Sequence, residues 1–317
     1  MRIRRVLACV VVLLAAGASA AFATKTTTRE FTCPVDGEKF TGRTLVSTNS
    51  FGGVDSDMCS WARGESPLPY GVQVCPTCFY ARLSDDFDKA LAPTSIVKLK
   101  KSLAKWREKH PRVKTVKDLA SAQRWELAAI CAVVRHNHSP IVGRLWLRAA
   151  WAKRHEGLAT LNMALGDPMS SFEDLDGMVI DLKEQKDRKK LITGKFTLAM
   201  LAQRVGEVKR RDACIKQLEK EKLGEVQAAR LAALKTAVAE EARYQTLAVD
   251  AFKKALADET AKGEDVYVLL YLAADTSRRL GKNAEAVKLY KQVLTAGKVR
   301  ADVRRMSEFM INWLTPD

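Results

Sequence analysis

Four cysteines fall in a short window near the N-terminus: Cys33 and Cys59 singly, then Cys75 and Cys78 as Cys-Pro-Thr-Cys. Cysteines so placed are metal ligands, disulfide partners or redox thiols. The surrounding stretch, Phe31 to Arg82, is rich in turn residues: Pro34-Val35-Asp36-Gly37, Gly52-Gly53 and Pro67-Leu68-Pro69. Short β-leaning runs, Lys39 to Val46 and Tyr70 to Val74, lie between the turns. A module of this size has too little apolar core to hold itself, so a staple is expected.

From Ser84 onward the pattern is helical. Aromatics are few and alanines many, which favours helices over a β-sandwich. Ser95 to Lys109 is amphipathic and stops before Pro111; Val116 to His136 repeats Leu119, Ala122, Trp125, Leu127 and Ala128 at helical spacing. Three helical pairs follow, turning near Gly157 (Ile141–His155 with Gly157–Leu165), Gly206 (Lys195–Val205 with Lys209–Lys222) and Gly281 (Asp265–Leu280 with Ala284–Leu294). A polar segment, Asp167 to Asp176, separates the first two. One long helix, Glu225 to Leu256, has Val226, Ala229, Ala233, Ala237 and Phe252 among its expected buried positions, and Asp302 to Leu314 caps the chain. The third pair resembles a tetratricopeptide repeat. Leu269-Leu270-Tyr271 supplies bulk, Ala273 and Ala274 supply close packing, and Ala286, Tyr290 and Leu294 line the second helix. The expected fold class is mostly α: helical hairpins similar to tetratricopeptide repeats over 84–317, preceded by a small Cys-rich β module over 31–82. Thr24 to Glu30 reads as a polar, flexible lead-in.

Residues 1–23 read as an export signal. Arg2, Arg4 and Arg5 precede the apolar run Val6 to Ala16, and two small-residue sites, Ala18-Ser19-Ala20 and Ala21-Phe22-Ala23, follow. The expected location is periplasmic or secreted. The net charge is +16, or +13 without the three leader arginines. The densest basic stretch, Lys98 to Lys117, carries nine Lys/Arg against one acid, Glu108. Such a charge permits contact with an anionic surface; a solvated helix face is the simpler reading, and nucleic acid is not an expected partner.

Zinc needs four ligands in a tetrahedron, and Cys75-Pro76-Thr77-Cys78 offers two from one turn. Cys33 and Cys59 can complete the set. Asp36, four residues along the outline Cys33-Pro34-Val35-Asp36-Gly37, is the alternative fourth ligand. Oxidation into two disulfides, for instance Cys75–Cys78 with Cys33–Cys59, suits an exported chain. A third reading makes Cys75 a nucleophile and Cys78 its resolving thiol, without the βαβ context of a thioredoxin. Cys131 and Cys214 sit on apolar helical faces as core thiols. His136 and His138 mark a helix end before Pro140 more simply than a metal site. No Gly-rich phosphate loop, Ser-His-Asp set or His-Glu-x-x-His motif occurs, so the chain reads as non-catalytic.

Cys33-Pro-Val-Asp-Gly-Glu-Lys-Phe40, Asp55-Ser-Asp-Met-Cys59 and Tyr70-Gly-Val-Gln-Val-Cys-Pro-Thr-Cys-Phe-Tyr-Ala81 together resemble the uncharacterised bacterial family called domain of unknown function 2225. Trp125-Glu-Leu-Ala128 through Leu147-Arg-Ala-Ala-Trp151 extends the likeness. The resemblance implies a zinc-ribbon-like head on a helical repeat body and no established activity. In this chain Asp36 stands where the family has a second knuckle thiol, and Phe79 where it has a glycine.

Overall fold

A computed structural model describes residues 24–136, 140–159, 161, 170–297 and 299–315. The leader expected over residues 1–23, and His138 of the expected histidine pair, lie outside them.

Four strands open the fold. β1 (Lys25–Thr32) pairs antiparallel with β2 (Lys39–Ser47), Phe31 facing Phe40. β3 (Val72–Val74) pairs antiparallel with β4 (Ala81–Leu83). β1 corrects the expectation of a flexible lead-in. Its run of threonines is β-branched, and β2 supplies the backbone partners that an isolated polar strand lacks. Phe31, Phe40 and Phe87 pack ring to ring at 5.4–5.6 Å, giving the two hairpins a shared apolar centre.

The body is helical, with ten α-helices among the described residues: α1 (Pro93–Lys109), α2 (Ser121–His136), α3 (Pro140–Gly157), α4 (Ser170–Glu184), α5 (Arg188–Val205), α6 (Val208–Glu219), α7 (Glu225–Ala257), α8 (Glu264–Arg279), α9 (Asn283–Thr295) and α10 (Ala301–Leu314). Sequence neighbours pack as antiparallel hairpins: α2 with α3, α5 with α6, α8 with α9. α7 is the spine, lying against α3 on one side and α8 on the other. α2 also covers β3 and β4, joining head and body. None of these helices is long and apolar enough to cross a membrane.

Three helical details differ from the sequence reading. α3 runs to Gly157, and the described residues beyond it (158, 159 and 161) are not helical, so α3 pairs with the preceding α2. The polar stretch through Asp176 begins a helix, α4. Phe172 and Leu175 are buried and Met178, Val179 and Leu182 pack beside them, an apolar stripe that the interspersed acids mask. On α7 the buried stripe is Leu231, Leu234, Ala237, Glu241, Tyr244, Ala248 and Phe252, while Val226 is 83% exposed and Ala229 and Ala233 are also exposed. Alanines all round the helix flatten its apolar periodicity, and two polar members, Glu241 and Gln245, hide the true face.

Gly206 ends α5 in the left-handed region, at φ +86°. A side chain there would strain the backbone and meet Arg278 and Arg279.

Candidate metal centre and the buried acid loop

Two turns with the same hydrogen-bond pattern face each other. In the first, the Cys33 amide donates to Glu38 O (2.8 Å) and the Gly37 amide to Cys33 O (2.9 Å). In the second, the Cys75 amide donates to Tyr80 O (2.9 Å) and the Phe79 amide to Cys75 O (3.1 Å). The fifth residue of each has positive φ, Gly37 at +79° and Phe79 at +64°. Glycine meets that requirement freely; a phenylalanine there carries strain of about 1–3 kcal/mol. Burial of its ring beside Trp106, with the Arg107 guanidinium 4.5 Å from the ring centre, offsets that cost.

The fourth residue of the second turn is Cys78, and of the first, Asp36. Cys33, Asp36, Cys75 and Cys78 bring their ligand atoms within 4.8 Å of one another. Cys33 Sγ lies 3.6 Å from Cys78 Sγ, and the Asp36 carboxylate 3.5–3.6 Å from Cys75 Sγ. The amides of Val35 and Tyr80 donate to Cys33 Sγ and Cys78 Sγ, each at 3.4 Å. Cys33 and Cys75 are buried, Cys78 is half-buried and Asp36 is exposed. Hydrogen bonds from Cys33 and Cys78, helped by backbone amides, hold the Cys75 thiol far below the ordinary thiol range. The bond to Cys75 pushes Cys33 up to about 12, and the bonds to Cys33 and Cys75 raise Cys78. A cation bound there would take the place of thiol protons. The cluster can hold a metal ion.

Cys59, grouped with these thiols in the sequence reading, is not part of the cluster; Asp36, the alternative ligand, fills the fourth place. The turn Asp55–Cys59 carries Cys59 into the helical body, where its Sγ is 3.4 Å from His155 Nε2 on α3. Burial, reinforced by the Asp55 and Asp57 charges, raises the Cys59 thiol well above its usual range. His155 Nδ1 lies 3.2 Å from Ser66 Oγ, and its ring stacks on Trp61 with centroids 3.8 Å apart. Burial, with Arg154 and Arg204 nearby, lowers His155 to about 3. A cleft of about 950 Å³ opens beside Trp61 and His155. Cys59 itself is fully buried, as a protonated thiol against a neutral imidazole.

Two residues of the same turn are the centre of an ion network that sequence reasoning missed. Arg154 on α3 donates to Asp55 (2.8 Å), to both oxygens of Asp57 (2.6 and 3.0 Å) and to Glu241 of α7 (2.8 Å). Arg204 on α5 donates to Asp55 (3.0 Å) and to Gly52 O (2.5 Å). On α8, Arg278 and Arg279 both donate to Asp275 at 2.9 Å and to Ser56 Oγ at 2.9 and 3.0 Å. Trp61 and Trp151 donate to Asp55 and Asp57. Burial alone would raise the Asp57 carboxyl, but Arg154 and Arg279 outweigh it and hold the group well below the usual range; Asp275 is lowered in the same way by Arg278 and Arg279. Four arginines meet four carboxylates, so the buried charge balances. A signal for this was present: Arg154, Arg204 and Arg278–Arg279 each precede, by two or three residues, the glycines that frame the hairpins, Gly157, Gly206 and Gly281.

The remaining candidates are placed simply. Cys131 and Cys214 are core thiols, Trp125 and Trp146 are buried, and Trp151 is half-buried against the acid loop. His136 is exposed at the end of α2.

A sequence profile described as "Uncharacterized protein conserved in bacteria (DUF2225)" matches residues 26–165 and 183–308. Among curated proteins and solved structures, nothing matches.

Proposed function

We propose that this chain, which belongs to the bacterial family DUF2225, is an exported, non-catalytic interaction scaffold whose N-terminal head is closed by a structural zinc ion. The observation that carries the metal half is the convergence of Cys33, Asp36, Cys75 and Cys78 from two matching turns. A tetrahedral zinc with sulfur at about 2.3 Å and oxygen at about 2.0 Å separates sulfurs by about 3.8 Å and sulfur from oxygen by about 3.5 Å. The closest separations here, 3.6 Å between sulfurs and 3.5 Å from sulfur to carboxylate, agree with that size. Soft thiolates with one carboxylate suit zinc better than calcium or magnesium, which take oxygen donors.

The scaffold half rests on the hairpin body. Ala273 and Ala274 of α8, the close-packing positions expected of a hairpin similar to a tetratricopeptide repeat, are buried; of the residues expected to line α9, Ala286 and Tyr290 are buried and Leu294 is half-buried. Stacked hairpins leave faces suited to a peptide or protein. Export rests on the leader-like composition of residues 1–23. Retention of a specific envelope protein by the full chain, and its loss when the α8–α9 surface is substituted, is the expected outcome of affinity capture. Capture of nothing from its own envelope fraction contradicts the scaffold reading. Cobalt(II) substitution tests the centre: a sulfur-to-cobalt charge-transfer band that strengthens in Asp36→Cys is expected, and its absence in the native chain contradicts metal binding.

A further inference from the structure

A second charged site lies where α1, α2 and α7 enclose a pocket of about 420 Å³. Its walls include Lys105, Trp106 and Lys109 of α1, His110 just beyond it, Glu126 of α2 and Arg243 of α7. We propose that this pocket binds a phosphate-bearing anion.

Lys105 and Lys109 stand one helical turn apart on one face, both exposed, and neither joins an ion pair among the described residues. Glu126 is the one carboxylate of the lining. Both its oxygens are engaged: Arg243 donates to Oε1 at 3.1 Å and the Tyr244 hydroxyl to Oε2 at 2.9 Å. Glu108, although on the same helix, is not part of the lining. Glu126 and Arg243 cancel, and two ammonium charges remain without counter-charge.

Trp106 is 3% exposed, and its indole N–H has no acceptor among the described residues. Leaving a buried donor unpaired costs about 1–3 kcal/mol, so an acceptor able to reach it is favoured. His110 stacks on the indole at 4.0 Å, and its Nδ1 lies 2.8 Å from Trp106 O, which holds the imidazole over the ring. Donors on two elements, α1 and α7, suit a group with several acceptor oxygens, and phosphate has more than a carboxylate. The volume is that of a small-molecule site. The phosphate group can come from a free phosphorylated molecule or from a lipid headgroup; the pocket chemistry is the same for both.

The experiment uses the full chain with inorganic pyrophosphate by calorimetry, and with phosphatidylglycerol vesicles by co-sedimentation. Saturable binding to at least one probe is expected. It should weaken about ten-fold or more in Lys105→Ala/Lys109→Ala. It should stay within about two-fold in Lys100→Ala/Lys117→Ala, which removes the same charge from the same basic segment outside the pocket. Trp106→Phe keeps the ring and removes the N–H, and should weaken binding several-fold. Pyrophosphate binding identifies a free anion as sufficient; vesicle binding alone, lost in the same variants, identifies the headgroup. Absence of binding to both probes, or equal weakening by the two double variants, overturns the proposal.

Discussion

The segment 31–82 holds two kinds of polar centre. At its ends, Cys33–Asp36 and Cys75–Cys78 gather three sulfurs and a carboxylate that joins no ion pair among the described residues. In its middle, Asp55 and Asp57 are sunk among Arg154, Arg204 and Arg279, and every charge is matched. One centre can hold a cation; the other already has its cations, as guanidinium groups from three hairpins. The contrast explains why Cys59, four residues from Asp55, behaves as part of the body interior. It also shows how the head is fixed: its central turn is a plug around which α3, α5 and α8 converge.

The largest effect should come from the plug. Arg154→Met leaves Asp55, Asp57 and Glu241 buried without their main partner and should cost about 3–5 kcal/mol, measured by urea unfolding. Metal binding should survive it under native conditions; simultaneous loss of both would show that the two centres are not separate. Metal removal by a chelator should cost about 2–3 kcal/mol, the linkage expected with free metal near a hundred times its Kd. Hydrogen exchange should rise in residues 31–36 and 72–80 and stay unchanged in α3 and α8.

Acid should act on the plug first. His155 is held at about 3 in the fold, against about 6.5 unfolded, so the unfolded chain takes up the proton first and stability falls as pH drops from about 6.5 towards 3. Asp57 and Asp275, lowered in the fold, add a further loss once pH falls below about 4. The His155 contribution should approach 1.4 kcal/mol per pH unit, at most about one proton's worth. His155→Gln should flatten the stability profile between pH 4 and 6.5, and an unchanged slope would remove His155 as its source. The smallest effect should come from an exposed pair. Arg300→Ala breaks a 2.6 Å contact to Asp302 with both side chains more than half exposed, and should shift stability by less than about 0.5 kcal/mol.

Much of this architecture was legible in the sequence. The Cys-x-x-Cys knuckle, its Cys33-to-Gly37 counterpart and the glycine-framed helices follow from local spacing, and local spacing is what a chain displays directly. Asp36 was visible as an alternative because the two turns share an outline. Cys59 was misplaced because residue type gives no sign of which side of a turn faces the body. The ion network was hidden for a related reason. Its arginines lie scattered from Arg154 to Arg279, and each looks like an ordinary solvated helix end until the hairpins stack. β1 and the apolar face of α4 were missed because polar residues outnumber the few that point inward.

Metal analysis of three full-length proteins, the native chain, Cys59→Ser and Cys75→Ser, decides which residues hold the metal. One zinc per chain in the native protein and in Cys59→Ser, and none in Cys75→Ser, is the predicted result. Zinc that disappears in a folded Cys59→Ser protein, or persists undiminished in Cys75→Ser, would contradict a centre built from Cys33, Asp36, Cys75 and Cys78.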